Sequence, residues 1–113
     1  MAVELPLEMS PQQLKSLQET GEKVALIDVR EPEEFAVASL PDSRLIPMQT
    51  IPGHVETIRA LASENPVAIL CHHGVRSLNV AMWLRGQGVG NCFSIAGGID
   101  RWSYEVDPDI PRY

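Results

Sequence analysis

The chain is poor in the features that mark several common kinds of protein. It has 2 cysteines, Cys71 and Cys92, with no dense spacing pattern. A disulfide framework is not expected, and a reducing cytoplasm is the compartment that fits. No apolar run approaches the ~18 residues of a membrane span. Met1-Ala2-Val3-Glu4-Leu5-Pro6 has no basic stretch followed by an apolar one, so no secretory signal is expected. Basic residues are few: 9 Lys and Arg against 15 Asp and Glu give a formal net charge of -6. Nucleic acid needs a basic face and is not an expected partner, nor is a membrane. A small anion stays possible, because a local loop can be positive on an acidic protein. There is no internal repeat and no low-complexity linker.

What is present is an ordinary soluble composition, 44% hydrophobic and 21% charged over 113 residues. That length suits one domain, residues 1–113, with a core that needs no covalent staples. Leu5 to Met9 is a candidate first strand. Ser10-Pro11-Gln12-Gln13 starts a helix, with Ser10 as N-cap, Pro11 at the first helical position and Gln13 closing a capping box. Val24 to Val29 is a nearly continuous apolar strand, as in a parallel sheet covered on both faces. Pro32 to Phe35 starts a short helix. Leu45 to Pro47 is a short strand, and His54 to Ala62 has helical spacing. Val67 to Leu70 is the next strand, Ser77 to Gly86 the next helix and Cys92 to Ile95 the last strand. Gly97-Gly98 turns the chain into a helix from Ile99 to Tyr104, and the tail from Asp107 to Tyr113 is irregular. The alternation predicts an α/β fold with a mainly parallel sheet and helices on both faces. Ligands of such sheets bind outside the carboxyl ends of the strands, where Cys71 and Asp28-Val29-Arg30 both fall.

Cys71-His72-His73-Gly74-Val75-Arg76-Ser77 therefore carries the chemistry. A cysteine between a buried strand and a helix start meets backbone N–H groups and the positive end of the helix dipole. Thiols in such places, or beside cations, lose their proton more readily than free ones. His72, His73 and Arg76 add donors and charge, Gly74 lets the chain turn, and Ser77 is a plausible N-cap for the helix. The loop favours a sulfur anion on Cys71 and holds an incoming oxyanion.

Three ordered segments resemble the rhodanese family of sulfurtransferases. Cys71 to Ser77 is similar to its active-site loop. Ile27-Asp28-Val29-Arg30-Glu31-Pro32-Glu33-Glu34-Phe35 resembles its strand-two signature, and Ser94-Ile95-Ala96-Gly97-Gly98-Ile99-Asp100-Arg101-Trp102 its C-terminal signature. The resemblance implies a three-layer fold around a five-stranded sheet. It also implies a double displacement through a Cys71 persulfide. The sulfur donor would be thiosulfate or a similar compound, the acceptor a thiol or a sulfur-carrier protein, and no cofactor is needed. Loop length separates this chemistry from phosphoryl transfer. Cys71 to Arg76 spans six residues, and the related phosphatases and arsenate reductases use one more. The tail resembles the end of rhodanese domains fused to sulfur-carrier adenylyltransferases, which suggests a persulfide carrier as the alternative. One segment departs from the family: Ala38-Ser39-Leu40-Pro41-Asp42-Ser43 keeps a proline but lacks the usual histidine and two glycines.

The remaining candidates have plainer readings. Asp28 and Arg30 are expected in a support role: either as a structural pair at a strand end or, because the rhodanese-like strand order sets Asp28 beside the strand ending at Cys71, with Asp28 bracing the loop, for which Arg76 is a candidate partner. Cys92 and Trp102 read as core, His54 as a surface residue and the acids from Glu31 to Glu34 as helix N-terminal charge. No metal is expected at His72-His73, because adjacent side chains in a tight loop should point apart.

Overall fold

The computed structural model describes residues 5–113. The N-terminal signal reading falls on Met1 to Glu4 and so, but for Leu5 and Pro6, lies outside the described residues. Five strands form one sheet: β1 (Glu8–Met9), β2 (Ala25–Asp28), β3 (Ser43–Leu45), β4 (Val67–Leu70) and β5 (Cys92–Ile95). Their order is β1-β5-β4-β2-β3, and every pairing is parallel. Five α-helices alternate with them: α1 (Pro11–Glu19), α2 (Pro32–Val37), α3 (Val55–Glu64), α4 (Val75–Gly86) and α5 (Gly98–Glu105). Among the described residues, no helix is long and apolar enough to cross a membrane.

The strand period of two divides the core. Ile27, Val29, Val67, Ile69 and Cys92 face one side and pack with Ile58 of α3 and Val80, Ala81 and Leu84 of α4. Leu26, Ala68, Leu70, Phe93 and Ile95 face the other and pack with Leu14 of α1 and Ile99 and Trp102 of α5. The central strands are apolar on both faces apart from Asp28 and Ser94, because both faces are covered. This is the expected three-layer arrangement, and Trp102 and Cys92 lie in the core as read.

Several boundaries differ from the sequence reading. β1 is shorter, since only Glu8 and Met9 find partners on β5. β3 starts and ends earlier, at Ser43–Leu45, because it stays in register with β2 to Asp28. A 3₁₀ segment from Met48 to His54, not read from the sequence, leads into α3. The capping box on α1 forms as read: Gln13 N–H donates to Ser10 Oγ at 3.1 Å, and Ser10 N–H donates to Gln13 Oε1 at 2.8 Å.

From β2 the chain runs outward to β3, then returns to the other side of β2 as β4 and β5. The direction reverses between β2 and β4. The loops after these two strands thus flank the crevice where doubly wound sheets bind ligands.

Candidate functional site

β4 ends at Leu70, and Cys71 to Gly74 connect it to α4. The Cys71 side chain is only 1% exposed. Three groups from the following turn reach its sulfur. Gly74 N–H donates to Sγ at 3.0 Å, Ser77 N–H donates at 3.3 Å, and Ser77 Oγ is 3.3 Å away. Ser77 Oγ also shares a 2.8 Å hydrogen bond with Ser94 Oγ of β5. The expected convergence of backbone N–H groups is therefore present, focused on the sulfur.

Ser77 does not cap α4. Gly74 occupies the N-cap position with φ 98°, and Ser77 is the third residue of the helix. Its hydroxyl is turned inward to the sulfur, so it is not free to bond the helix's own N–H groups. At Gly74 a Cβ would lie 2.9 Å from the backbone nitrogen of Gly97, and the left-handed conformation adds to that penalty. Val75 contributes backbone only, since its side chain is 68% exposed.

The start of α5 fixes the other side of the loop. Ile99 N–H donates to the Cys71 carbonyl at 2.9 Å, and Asp100 N–H donates to the His72 carbonyl at 3.1 Å. Gly98 sits between them, and a Cβ there would collide with both carbonyl oxygens. Gly97-Gly98 does more than turn the chain: it lets a helix terminus abut the loop backbone.

Asp28 and Arg30 are both fully buried and paired with each other, with Arg30 Nη2 to Asp28 Oδ2 at 2.6 Å. Arg30 Nε donates to both carboxylate oxygens, Nη2 also to the Ala38 carbonyl at 2.6 Å, and Nη1 to the Glu34 carbonyl and the Tyr113 hydroxyl. Asp28 does not brace the loop through Arg76. That arginine pairs in two-pronged fashion with Glu34 of α2, at 2.7 and 3.0 Å. The correction has a simple cause: Arg30 folds back onto Asp28 two residues away and saturates it. The departing segment from Ala38 is structural, as expected, and supplies one acceptor to Arg30.

Glu34 and Tyr113 are site residues that the sequence reading missed. Glu34 was read only as helix charge. It does close a capping box, accepting from Glu31 N–H at 3.2 Å, but it also holds Arg76 and accepts from the Tyr113 hydroxyl at 2.7 Å. Tyr113 lies in a tail read as irregular, whose resemblance pointed to a partner and not to the loop. Its ring stacks on His72 with centroids 3.9 Å apart and planes 6° apart. Ser94 was also missed, although a serine inside an apolar buried strand was a visible clue.

His72 and His73 do not point apart. Their rings lie 3.8 Å apart at 31°, and His73 Nε2 is 4.0 Å from Asp100 Oδ2. Burial, then the neighbouring His73, hold the His72 imidazole below the usual histidine range. Cys92 is fully buried, and burial pushes its thiol up. His54 is exposed and bonds only the Thr50 carbonyl through Nδ1, as read.

The Arg76 guanidinium holds the Glu34 carboxyl at about 2, against its ordinary 4.5. A depressed carboxyl contributes stability above its unfolded value and loses it as pH falls through the folded one. Acid titration should therefore show stability declining from about pH 4.5 toward pH 2, with a shallower slope in Glu34→Gln. Urea midpoints measured across that window check it; identical slopes in the two proteins would refute the assignment.

A buried cysteine at the end of a parallel strand, with backbone donors from the next helix aimed at its sulfur, defines an α/β domain with a cysteine anion loop. The family model for the rhodanese-like domain matches residues 10–105. The chain belongs to the rhodanese family. It is 34% identical over 92 residues to thiosulfate sulfurtransferase GlpE of Pseudomonas syringae, covering 81% of this chain and 82% of that protein. It is 33% identical over 103 residues to adenylyltransferase and sulfurtransferase MOCS3-2 of Zea mays, covering 88% of this chain and 21% of that protein. A rhodanese-like domain protein from Staphylococcus aureus superposes with TM-score 0.77 at 28% identity, covering 96% and 99% of the two chains. Several curated relatives are much longer; the chain spans 31%, 21% and 26% of three of them.

Proposed function

We propose that the protein is a sulfurtransferase that carries sulfane sulfur as a persulfide on Cys71. One observation carries the reading: the Cys71 sulfur receives the Gly74 and Ser77 N–H groups and lies against the Ser77 hydroxyl. Donors fixed in that way stabilise a sulfur anion at no reorganisation cost. The names of the Pseudomonas and maize relatives support the activity.

The steps balance without an external oxidant. The Cys71 thiolate attacks the outer sulfur of a donor such as thiosulfate. The donor's S–S bond breaks, sulfite leaves with the electron pair, and a new S–S bond forms on Cys71. An acceptor nucleophile, cyanide or a thiol, then attacks the terminal sulfur, and the pair returns to Cys71. Arg76 is paired with Glu34, so it serves this reading mainly by fixing α2 against the loop.

The test is direct. Reduced protein mixed with thiosulfate should gain one sulfur atom on Cys71 by mass spectrometry, and cyanide should remove it as thiocyanate. Absence of both would sink the proposal. Gly98→Ala should displace the loop backbone and lower thiocyanate formation roughly 100-fold, the cost of about 1 Å of misplacement. Unchanged turnover in that variant would show that the α5 contact does not set the sulfur's position.

A second reading, a persulfide carrier serving a partner protein, is favoured by the maize relative, whose name joins an adenylyltransferase to a sulfurtransferase. It requires faster sulfur transfer to a sulfur-carrier protein than to small thiols; equal rates count against it. Phosphatase or arsenate reductase activity fits the six-residue loop poorly, and hydrolysis of an aryl phosphate lost in Cys71→Ser would revive it.

A further inference from the structure

We propose that His72, His73 and Asp100 form a binding site for a divalent transition-metal ion of the zinc type at the rim of the Cys71 loop. One ligand atom from each residue lies within 4.8 Å of the other two. A tetrahedral ion with bonds of about 2.0–2.2 Å needs its ligands roughly 3.3–3.6 Å apart. Small side-chain rotations close that gap, and His73 is free to make them, with its side chain 63% exposed.

Three further features favour the site. First, His72 Nε2 is buried and has no hydrogen-bond partner. A buried polar atom left unpaired costs free energy, and a metal bond would satisfy it. Second, the ligands come from two elements already tied together, because Asp100 N–H donates to the His72 carbonyl at 3.1 Å. The carboxylate is thus carried on a helix start anchored to the same loop that carries the imidazoles. Third, the donor set is borderline in softness. Two imidazoles and one carboxylate suit zinc and its neighbours better than calcium or magnesium, which prefer all-oxygen shells.

Arg112 is the competitor. Its Nε donates to Asp100 Oδ1 at 2.9 Å, with the arginine side chain 57% exposed. Exposed pairs of this kind are weak, so an arriving cation displaces it. Three protein ligands leave a fourth position for water or an incoming anion. His72 follows Cys71 directly, so an ion there is held on the loop that carries the sulfur. Its consequence, slower loading of Cys71 by thiosulfate, rests on the function proposed above; the binding itself does not.

The decisive measurement is binding rather than activity. Calorimetric titration of the reduced full chain with Zn2+ should give one equivalent, retained in Cys71→Ser. It should weaken by roughly tenfold or more in His73→Ala and in Asp100→Asn. The His73 side chain is exposed and that of Asp100 partly covered, and a thermal melt of each variant confirms folding. Cobalt substitution should give a tetrahedral visible spectrum without the intense charge-transfer band of a thiolate ligand. No zinc binding by the wild type would overturn the proposal. So would binding that is lost in Cys71→Ser yet unchanged in His73→Ala, or a strong thiolate band with cobalt.

Discussion

Cys71→Ser should abolish sulfur transfer and leave the fold intact. Serine keeps the size and polarity of the side chain, so the Gly74 and Ser77 donors still find an acceptor. Stability should change by less than about 1 kcal/mol, as for a polar, nearly isosteric swap. Chemistry should not survive, because an alkoxide is neither formed readily at neutral pH nor able to hold a transferable sulfur. The loss should reach the uncatalysed background, roughly 10³-fold or more, as for removal of a covalent nucleophile. Mass spectrometry after thiosulfate should show no added sulfur, and thiocyanate formation should vanish. Cys92→Ser is the matched control. That thiol is fully buried on β5 and close to the Val89 carbonyl, so its loss should leave transfer unchanged. Turnover that persisted in Cys71→Ser and disappeared in Cys92→Ser would reverse the roles of the two thiols.

Arg30→Ala should be the most destabilising single change at the site. All five guanidinium N–H groups have acceptors: the Asp28 carboxylate, the carbonyls of Ala38 and Glu34, and the Tyr113 hydroxyl. Truncation leaves the fully buried Asp28 carboxylate without its counter-charge and leaves a cavity besides. Breaking a buried pair from one side costs about 3–5 kcal/mol. That is a large share of the roughly 5–15 kcal/mol that stabilises a domain. The urea midpoint should fall accordingly, and part of the population should be unfolded at 37 °C. Replacing both partners by apolar residues, Asp28→Leu with Arg30→Met, should recover much of the loss, because no charge is then stranded. A single variant as stable as the double would show that packing, and not the stranded carboxylate, sets the cost.

The sequence made the layer order legible because its signals were redundant. Val24 to Val29, apart from Asp28, and Val67 to Leu70 are apolar on both faces, as in a sheet covered on both sides. Cys71 was legible because a strand end, a glycine and a helix start fix a thiol's surroundings within a few residues. Longer-range pairing was not. Arg76 meets Glu34 across 42 residues and Arg30 meets Tyr113 across 83. Strand order sets Asp28 beside the Cys71 strand, which makes it a candidate partner of Arg76, but strand order does not show that Arg30 claims the carboxylate first. Ser77 was assigned to the helix cap because serines usually serve there, whereas the nearby sulfur and Ser94 claimed its hydroxyl. The two histidines were expected to diverge. Their mutual stacking, and the stacking of Tyr113 on His72, depends on a tail with no periodic signal of its own.

The depth of Cys71 bears on what the protein shows to its surroundings. In the resting state the thiol is 1% exposed, with Ser77 and Ser94 filling the space behind it. On the proposed mechanism a second sulfur would extend the side chain by about 2.05 Å, away from Ser77 and Ser94. On that reading, charging the protein would carry its reactive atom out of the shelter around Cys71. The uncharged thiol is guarded against stray oxidants and alkylating agents, while the cargo is held out to whatever comes to collect it.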